Sequence, residues 1–304
     1  MSYDMIAGKL ASGGVIILDG ATGTELEKRG APMSGETWCA EVNATHASLL
    51  EDVHRSYLQC GADIITANTF ATSALSFNVY GRDNDVLRLD AAAVNAARRA
   101  VEGTAAAIAG SISTMRPVIP GTDRTDRSHE WTPAEARRLL SRKARNLADC
   151  GVDLLMMEMM RDTDYSLLAT EAAMETGLPV WVGISLERQK DGRLTGFGRE
   201  DQEIDGVFEQ FAALQPAAIS IMHTSVNDVA ASLPLLREVW RGATGVYPES
   251  GYFKMPGWQF EDIISPADLV GEARGWRSQG VAIMGGCCGL GPEHVAALAR
   301  EFKS

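Results

Sequence analysis

TPAEARRLLSRKARNLADCGVDLLMMEMM, residues 132–160, joins a helix-length amphipathic run to a short apolar one, and the reading of that junction decides the fold. The helical part opens on a Thr and closes on a Gly, the usual punctuation of helix ends. The run DLLMMEMM (153–160) is nearly continuous in apolar residues rather than alternating, as a strand covered on both faces is. The same order recurs along the chain. Strand candidates are VIILDG (15–20), DIITANTF (63–70), AAIAGSIS (106–113), PVWVGIS (179–185), AAISIMHT (217–224), TGVYPES (244–250) and GVAIMGGCC (280–288), with helix-like segments such as THASLLEDVHRSYLQCG (45–61) and SPADLVGEARGWRSQG (265–280) between them. Such alternation implies a parallel sheet with helices on its outer face. About eight units fit a closed barrel better than an open sheet, and no Gly-rich dinucleotide fingerprint follows the first strand. The expected architecture is α/β, a single (β/α)8 TIM barrel domain over residues 1–304.

The chain is 45% hydrophobic and 22% charged over 304 residues, enough to bury a core without disulfide staples. Lys and Arg total 28 against 40 Asp and Glu, a net charge of −12, so phosphate backbones and anionic lipid are poor partners. No stretch approaches the roughly 20 apolar residues of a membrane span, and the start MSYDMIAGKLASGGVIILDG has no basic n-region. Cysteines number five, an odd count with one adjacent pair. Neighbouring α-carbons lie about 3.8 Å apart, so a disulfide between Cys287 and Cys288 would be strained. The expectation is a cytoplasmic protein with reduced thiols and small-molecule partners.

Polar residues gather at the ends of the strand candidates: Asp19, Asn68 and Thr69, Glu158, His223, Glu249, then Cys287 with Cys288. In a barrel these ends form the catalytic face. GGCCG (285–289) is the sharpest local signal. Successive side chains of a strand point to opposite faces, so two adjacent cysteines meet one metal only if the backbone turns, which the flanking glycines permit. Two thiolates need a third ligand and an open position to make a catalytic zinc site, and His223 at the end of its strand is the best third ligand. The competing reading makes the cysteines buried small hydrophobes and His223 a hydrogen-bonded core residue. Cys60 and Cys150 each precede a Gly at a helix end and read as packing residues. Glu158 lies in an apolar run where an unpaired carboxylate is expensive, so it needs a cation, which an ion pair inside the barrel would supply. Asp19 and Gly20 start a turn into TGTELEKR, a helix start able to hold a carboxylate, or a simple cap.

Taken in order, LDGATGTEL (18–26), ETWCAE (36–41), GADIITANTF (61–70), the Glu of LLMMEMM (154–160), YPESG (247–251) and GGCCGLGPEHV (285–295) resemble the homocysteine S-methyltransferases, almost end to end. The resemblance implies a (β/α)8 barrel holding zinc on three cysteines, two of them matched by Cys287 and Cys288. Where the family's first zinc cysteine usually follows an Asn, this chain reads IMHTS and places His223. Where the family commonly has Asn in YPESG, it has Glu249.

By the same resemblance Glu158 binds the substrate ammonium, Asp19 with Gly20 helps hold homocysteine, Asn68 lines the pocket near the metal, and Trp38 stands near the methyl donor. A quaternary or sulfonium donor suits an aromatic face, and Glu249 would add negative charge at the same mouth. The implied reaction moves methyl from S-methylmethionine, betaine or a similar onium to the thiol of homocysteine, giving methionine. The rivals are a thiol-activating subunit of a corrinoid system and a zinc-dependent lyase or hydrolase. Oligomeric state is left open, and the charged loop at 114–131 reads as a solvated surface loop, with a lid or donor contact as the alternative.

Overall fold

The computed structural model describes residues 3–119, 122, 124–254 and 257–303. Eight strands carry the fold: β1 (Ile16–Ile17), β2 (Ile64–Ala67), β3 (Ala107–Ile112), β4 (Leu154–Met160), β5 (Val180–Ile184), β6 (Ala218–Ser225), β7 (Ala243–Glu249) and β8 (Ile283–Met284). They form one parallel sheet in the order β1, β8, β7, β6, β5, β4, β3, β2. A parallel bridge between Leu18 and Ile64 joins its two ends and closes the barrel. All eight strand candidates overlap an observed strand, with β1 and β8 trimmed to two residues each.

Alternation along each strand sorts its side chains into two cores. Ile16, Ile64, Ala107, Ala109, Leu154, Met156, Trp181, Ala218 and Ile283 fill the barrel interior. Their neighbours Ile17, Ile65, Ile108, Leu155, Val182, Ile219 and Met284 face the surrounding helices. Both faces are apolar, hence the unbroken hydrophobic runs. The helix Tyr3–Ala11 closes the bottom, burying Ile6 in the interior cluster while the Tyr3 hydroxyl accepts from Trp181 Nε1 at 2.9 Å.

Caps place the outer helices. Thr132 and Glu135 form a reciprocal capping box at the start of Pro133–Asp149, and the Ser265 hydroxyl accepts from the Asp268 N–H ahead of Pro266–Ser278; each cap contributes about 1 kcal/mol. The segment from Thr45 differs. Its helix begins at Ala47 behind His46, while the Thr45 hydroxyl donates back to the Glu41 carbonyl at 2.8 Å instead of capping. Cys60 and Cys150 are C-caps, each before a glycine in the left-handed region. Among the described residues no helix is long and apolar enough to cross a membrane.

Three excursions rise from the catalytic end of the barrel. They are the loop after β3, a three-stranded antiparallel ribbon after β5 (Leu186–Arg188, Leu194–Gly196, Arg199–Glu203), and a hairpin after β7 (Tyr252–Lys254 with Gly257–Gln259). Together with the strand ends they enclose one deep cavity.

Candidate metal centre and active site

Two β-bulges aim the central residues of the cavity. In β6, Met222 pairs with Tyr247 and Ser225 with Glu249, so His223 and Thr224 oppose Pro248 alone. His223 takes the left-handed conformation, φ 43°, which turns its ring out of the ladder. In β4, Met157 pairs with Val182 and Met160 with Ile184, so Glu158 and Met159 oppose Gly183, and Met159 has φ 54°. A non-glycine residue held at such an angle costs on the order of 1 kcal/mol or more, strain that clusters where a side chain must be aimed.

At the end of β8 the chain leaves its ladder. The Cys287 N–H donates to Pro248 O at 2.8 Å, and the Cys288 carbonyl accepts from Ser250 N–H at 3.0 Å. The three glycines around the pair do different things. Gly289 needs its backbone angle, φ 83°. Gly285 and Gly286 lie outside the left-handed region and are small for space: a Cβ would meet Leu18 Cβ at 2.6 Å or Leu290 Cβ at 2.7 Å. The expectation that all three serve backbone turns is corrected accordingly.

His223, Cys287 and Cys288 converge, with one ligand atom from each within 4.8 Å of the others. Cys287 Sγ is 3.5 Å from His223 Nδ1. Zinc bonds of about 2.0 Å to nitrogen and 2.3 Å to sulfur, at a tetrahedral angle, separate the two atoms by about 3.5 Å. The donor set therefore fits a metal ion. The neighbouring Cys288 thiol and the facing His223 ring hold Cys287 down to about 6 despite its burial, while Cys288 is pushed well up.

The second ring nitrogen, Nε2 of His223, lies 3.0 Å from Glu249 Oε2. Glu249 does not line the cavity. This corrects the expectation of a free negative charge facing the donor: the carboxylate is taken by the imidazole. Burial disfavours a charged imidazole, but Glu249 and Cys287 outweigh it and raise the His223 pKa well above its ordinary value.

Asp19 and Glu158 both line the cavity, and among the described residues neither forms an ion pair with a Lys or Arg. Thr66 donates to Asp19 twice, from N–H at 2.7 Å and from its hydroxyl at 2.9 Å. The Ser111 hydroxyl donates to Glu158 Oε2. Burial pushes Asp19 up to about 7 against those bonds, and Glu158 up to about 8, the charges of Cys287 and Asp19 adding to the effect. Two buried carboxyls without a counter-ion make a receptor for a cation. Gly20 lies beside them, where a Cβ would meet the Leu290 carbonyl at 2.5 Å.

A family model described as homocysteine S-methyltransferase matches residues 16–302. The chain belongs to the homocysteine S-methyltransferase family. It is 27% identical to homocysteine S-methyltransferase 4 of Zea mays, covering 96% of this chain and 90% of that one. It is 26% identical to an S-methylmethionine–homocysteine S-methyltransferase of Rattus norvegicus, covering 98% and 81%. The crystal structure of the homocysteine methyltransferase MmuM from Escherichia coli in its metallated form superposes with TM-score 0.72 at 22% identity, covering 94% and 96%; at that identity the likeness shows a shared fold.

The remaining walls of this homocysteine S-methyltransferase cavity are aromatic. Trp38, at φ 47°, packs edge-on against Phe70 and Phe253, each centroid 6.4 Å away, and all three line the cavity. Phe197 and Trp258 pack edge-on against His223 at 5.2 and 5.9 Å. Asn68 sits at the wall, but its carboxamide is engaged: Nδ2 donates to Asn43 Oδ1 at 2.7 Å, and Oδ1 accepts from the Cys39 thiol at 3.4 Å. It positions the Trp38 segment rather than offering free donors. Burial pushes Cys39 up to about 12, so it stays a thiol.

Sequence reasoning missed several cavity residues. Tyr247 lies inside the barrel with its hydroxyl buried and unpartnered, in space kept open by Gly183, whose Cβ would lie 2.1 Å from it. Phe197, Phe253 and Trp258 come from the ribbon and hairpin, which carried no motif. Thr114, Met115, Arg116, Pro117, Val118 and Thr125 line the cavity, so the part of the 114–131 loop described here is a wall of the site and not merely a solvated loop; residues 120, 121 and 123 lie outside the described residues.

Proposed function

We propose that this enzyme transfers a methyl group from an onium donor to homocysteine, whose sulfur is activated on a zinc ion held by His223, Cys287 and Cys288. The observation that carries the reading is the meeting, in one cavity, of that open three-ligand group with two carboxyls lacking a counter-ion. When bound at such a set, zinc supplies an open position at which a thiol loses its proton. A thiol of ordinary pKa, about 8.5, is otherwise mostly protonated at neutral pH. With one imidazole and two thiolates, the metal and its ligands carry no net charge.

The chain's own residues do the rest. Asp19 and Glu158, held by Thr66 and Ser111, bind the substrate ammonium and so fix the sulfur's direction. The aromatic walls, Trp38 foremost, hold the onium and keep water out. The S–CH3 bond then forms as the bond from methyl to the donor heteroatom breaks. The bonding pair stays on that heteroatom, which leaves neutral, and the thiol proton goes to solvent.

The test is methyl transfer to homocysteine by zinc-loaded protein, offered S-methylmethionine, glycine betaine and dimethylsulfonioacetate in turn. Methionine should form with at least one. Turnover only with methyltetrahydrofolate or methylcobalamin would refute the onium reading.

A further inference from the structure

Two guanidinium groups in the cavity lining have no assigned task. Arg116 comes from the loop after β3 and Arg161 from just beyond β4, and they are only 5% and 7% exposed. Among the described residues neither forms an ion pair. Arg161 donates from Nη2 to Thr125 Oγ1 at 2.5 Å and from Nη1 to Phe197 O at 3.4 Å. Arg116 donates to no described residue; its Nε is buried without an acceptor, and its guanidinium lies over the Tyr165 ring, 5.1 Å from the centroid. The nearby carboxylate is already engaged. Asp162 Oδ2 lies 3.1 Å from Arg199 Nη1, and its Oδ1 accepts from the N–H groups of Asp164 and Ser166.

A buried guanidinium with no counter-ion is costly, and this chain, with 40 acidic residues to 28 basic, had carboxylates to spare. The arginines stand on the aromatic side of the cavity: Arg161 holds the carbonyl of Phe197, which lines the same wall as Trp38, Phe70 and Phe253. A planar fork of N–H donors suits a carboxylate.

We propose that Arg116, supported by Arg161, forms an anion subsite that binds the carboxylate of the methyl donor, so that the preferred donor is a zwitterion with its onium on the aromatic wall. This rests on the onium reading above.

The test is calorimetric titration of the zinc-loaded protein with glycine betaine and with its methyl ester, which keeps the onium and removes the carboxylate charge. Betaine should bind about 10- to 100-fold more tightly than the ester to the parent, the range for a charged hydrogen-bonded partner. That preference should fall to about twofold or less in Arg116→Met and to an intermediate value in Arg116→Lys, which keeps the cation without the fork. The lysine variant keeps the test readable should the methionine variant fold poorly. Equal binding of acid and ester by the parent, or an undiminished preference in both variants, overturns the proposal. So does a rise in KM for homocysteine in place of the donor, which would assign the arginines to the acceptor. A binding preference that follows Arg116 in a protein that transfers methyl from no onium would uphold the subsite and sink the reaction, so the two failures are distinguishable.

Discussion

Glu249 Oε2 lies 3.0 Å from Nε2 of His223, and Nδ1 of the same ring lies 3.5 Å from Cys287 Sγ. A carboxylate accepting from one imidazole nitrogen fixes the tautomer, leaves the other nitrogen as the ligand and raises its basicity. Glu249 and His223 therefore act as one unit, a candidate ligand together with the group that orients it. Glu249→Ala is expected to weaken zinc binding about 10- to 100-fold, and Glu249→Gln less, because the amide oxygen still accepts. Competition against a chromogenic chelator measures both; parent-like affinity in Glu249→Ala would remove the orienting role.

The ligand set itself is open to substitution. His223→Cys restores the three-thiolate set of the resemblance and should keep the metal and some methylation. His223→Ala should lose zinc affinity, and the Cys287→Ser/Cys288→Ser double variant should lose the metal altogether. Elemental analysis of protein purified without added metal, expected to show about one zinc per chain in the parent, decides each case.

The barrel was legible in the sequence because strands buried on both faces leave unbroken apolar runs, and the cysteine pair of the candidate metal group because a Gly-Gly-Cys-Cys-Gly run ends the last of them. What sequence could not show is direction. His54 and His223 are both buried histidines. His54 lies within the helix Ala47–Gln59, and neither of its ring nitrogens has a partner. Burial brings it down to about 3, a neutral core residue. His223 differs by one extra residue in its strand, and a bulge has no compositional signature. The same holds for Glu249, which sits on the imidazole rather than at the donor because of that register shift. Arg116 lay in a stretch whose charge suggested solvent, and only the path of the loop brings it inside.

Gly23 and Trp38 give a prediction in which two magnitudes compete. Gly23 lies in the helix Thr22–Lys28, where alanine would ordinarily stabilise by about 1 kcal/mol. Its Cβ, however, would stand 2.3 Å from the Trp38 ring. The ring must move, so Gly23→Ala should retain most of the thermal stability while raising KM for the donor. Trp38→Ala should raise it roughly 2- to 30-fold, the worth of one cation–π contact. KM for homocysteine should change little in either variant. A donor KM indifferent to both changes would leave Trp38 a packing residue.

The carboxyl pair yields a prediction whose sign follows from burial. Asp19 at about 7 and Glu158 at about 8 keep protons in the folded chain that an unfolded chain, with carboxyls at about 4, has already released. Stability from these two groups is therefore complete in acid and is lost as the pH climbs from the ordinary carboxylate range through about 8. An arriving ammonium reverses this by stabilising both charged forms, so binding should expel protons. Methionine carries the same ammonium without an ionisable thiol and isolates the carboxyls from the metal. Zinc-loaded protein should lose thermal stability between about pH 5.5 and pH 8.5, and the upward shift produced by methionine should grow over that interval. Glu158→Gln, which has no proton to lose, should flatten the pH dependence and weaken methionine and homocysteine by roughly 1–3 kcal/mol while leaving zinc in place. Calorimetry in buffers of different ionisation enthalpy would count the protons. Unchanged amino-acid affinity and unchanged proton release in Glu158→Gln would remove this residue from the ammonium site.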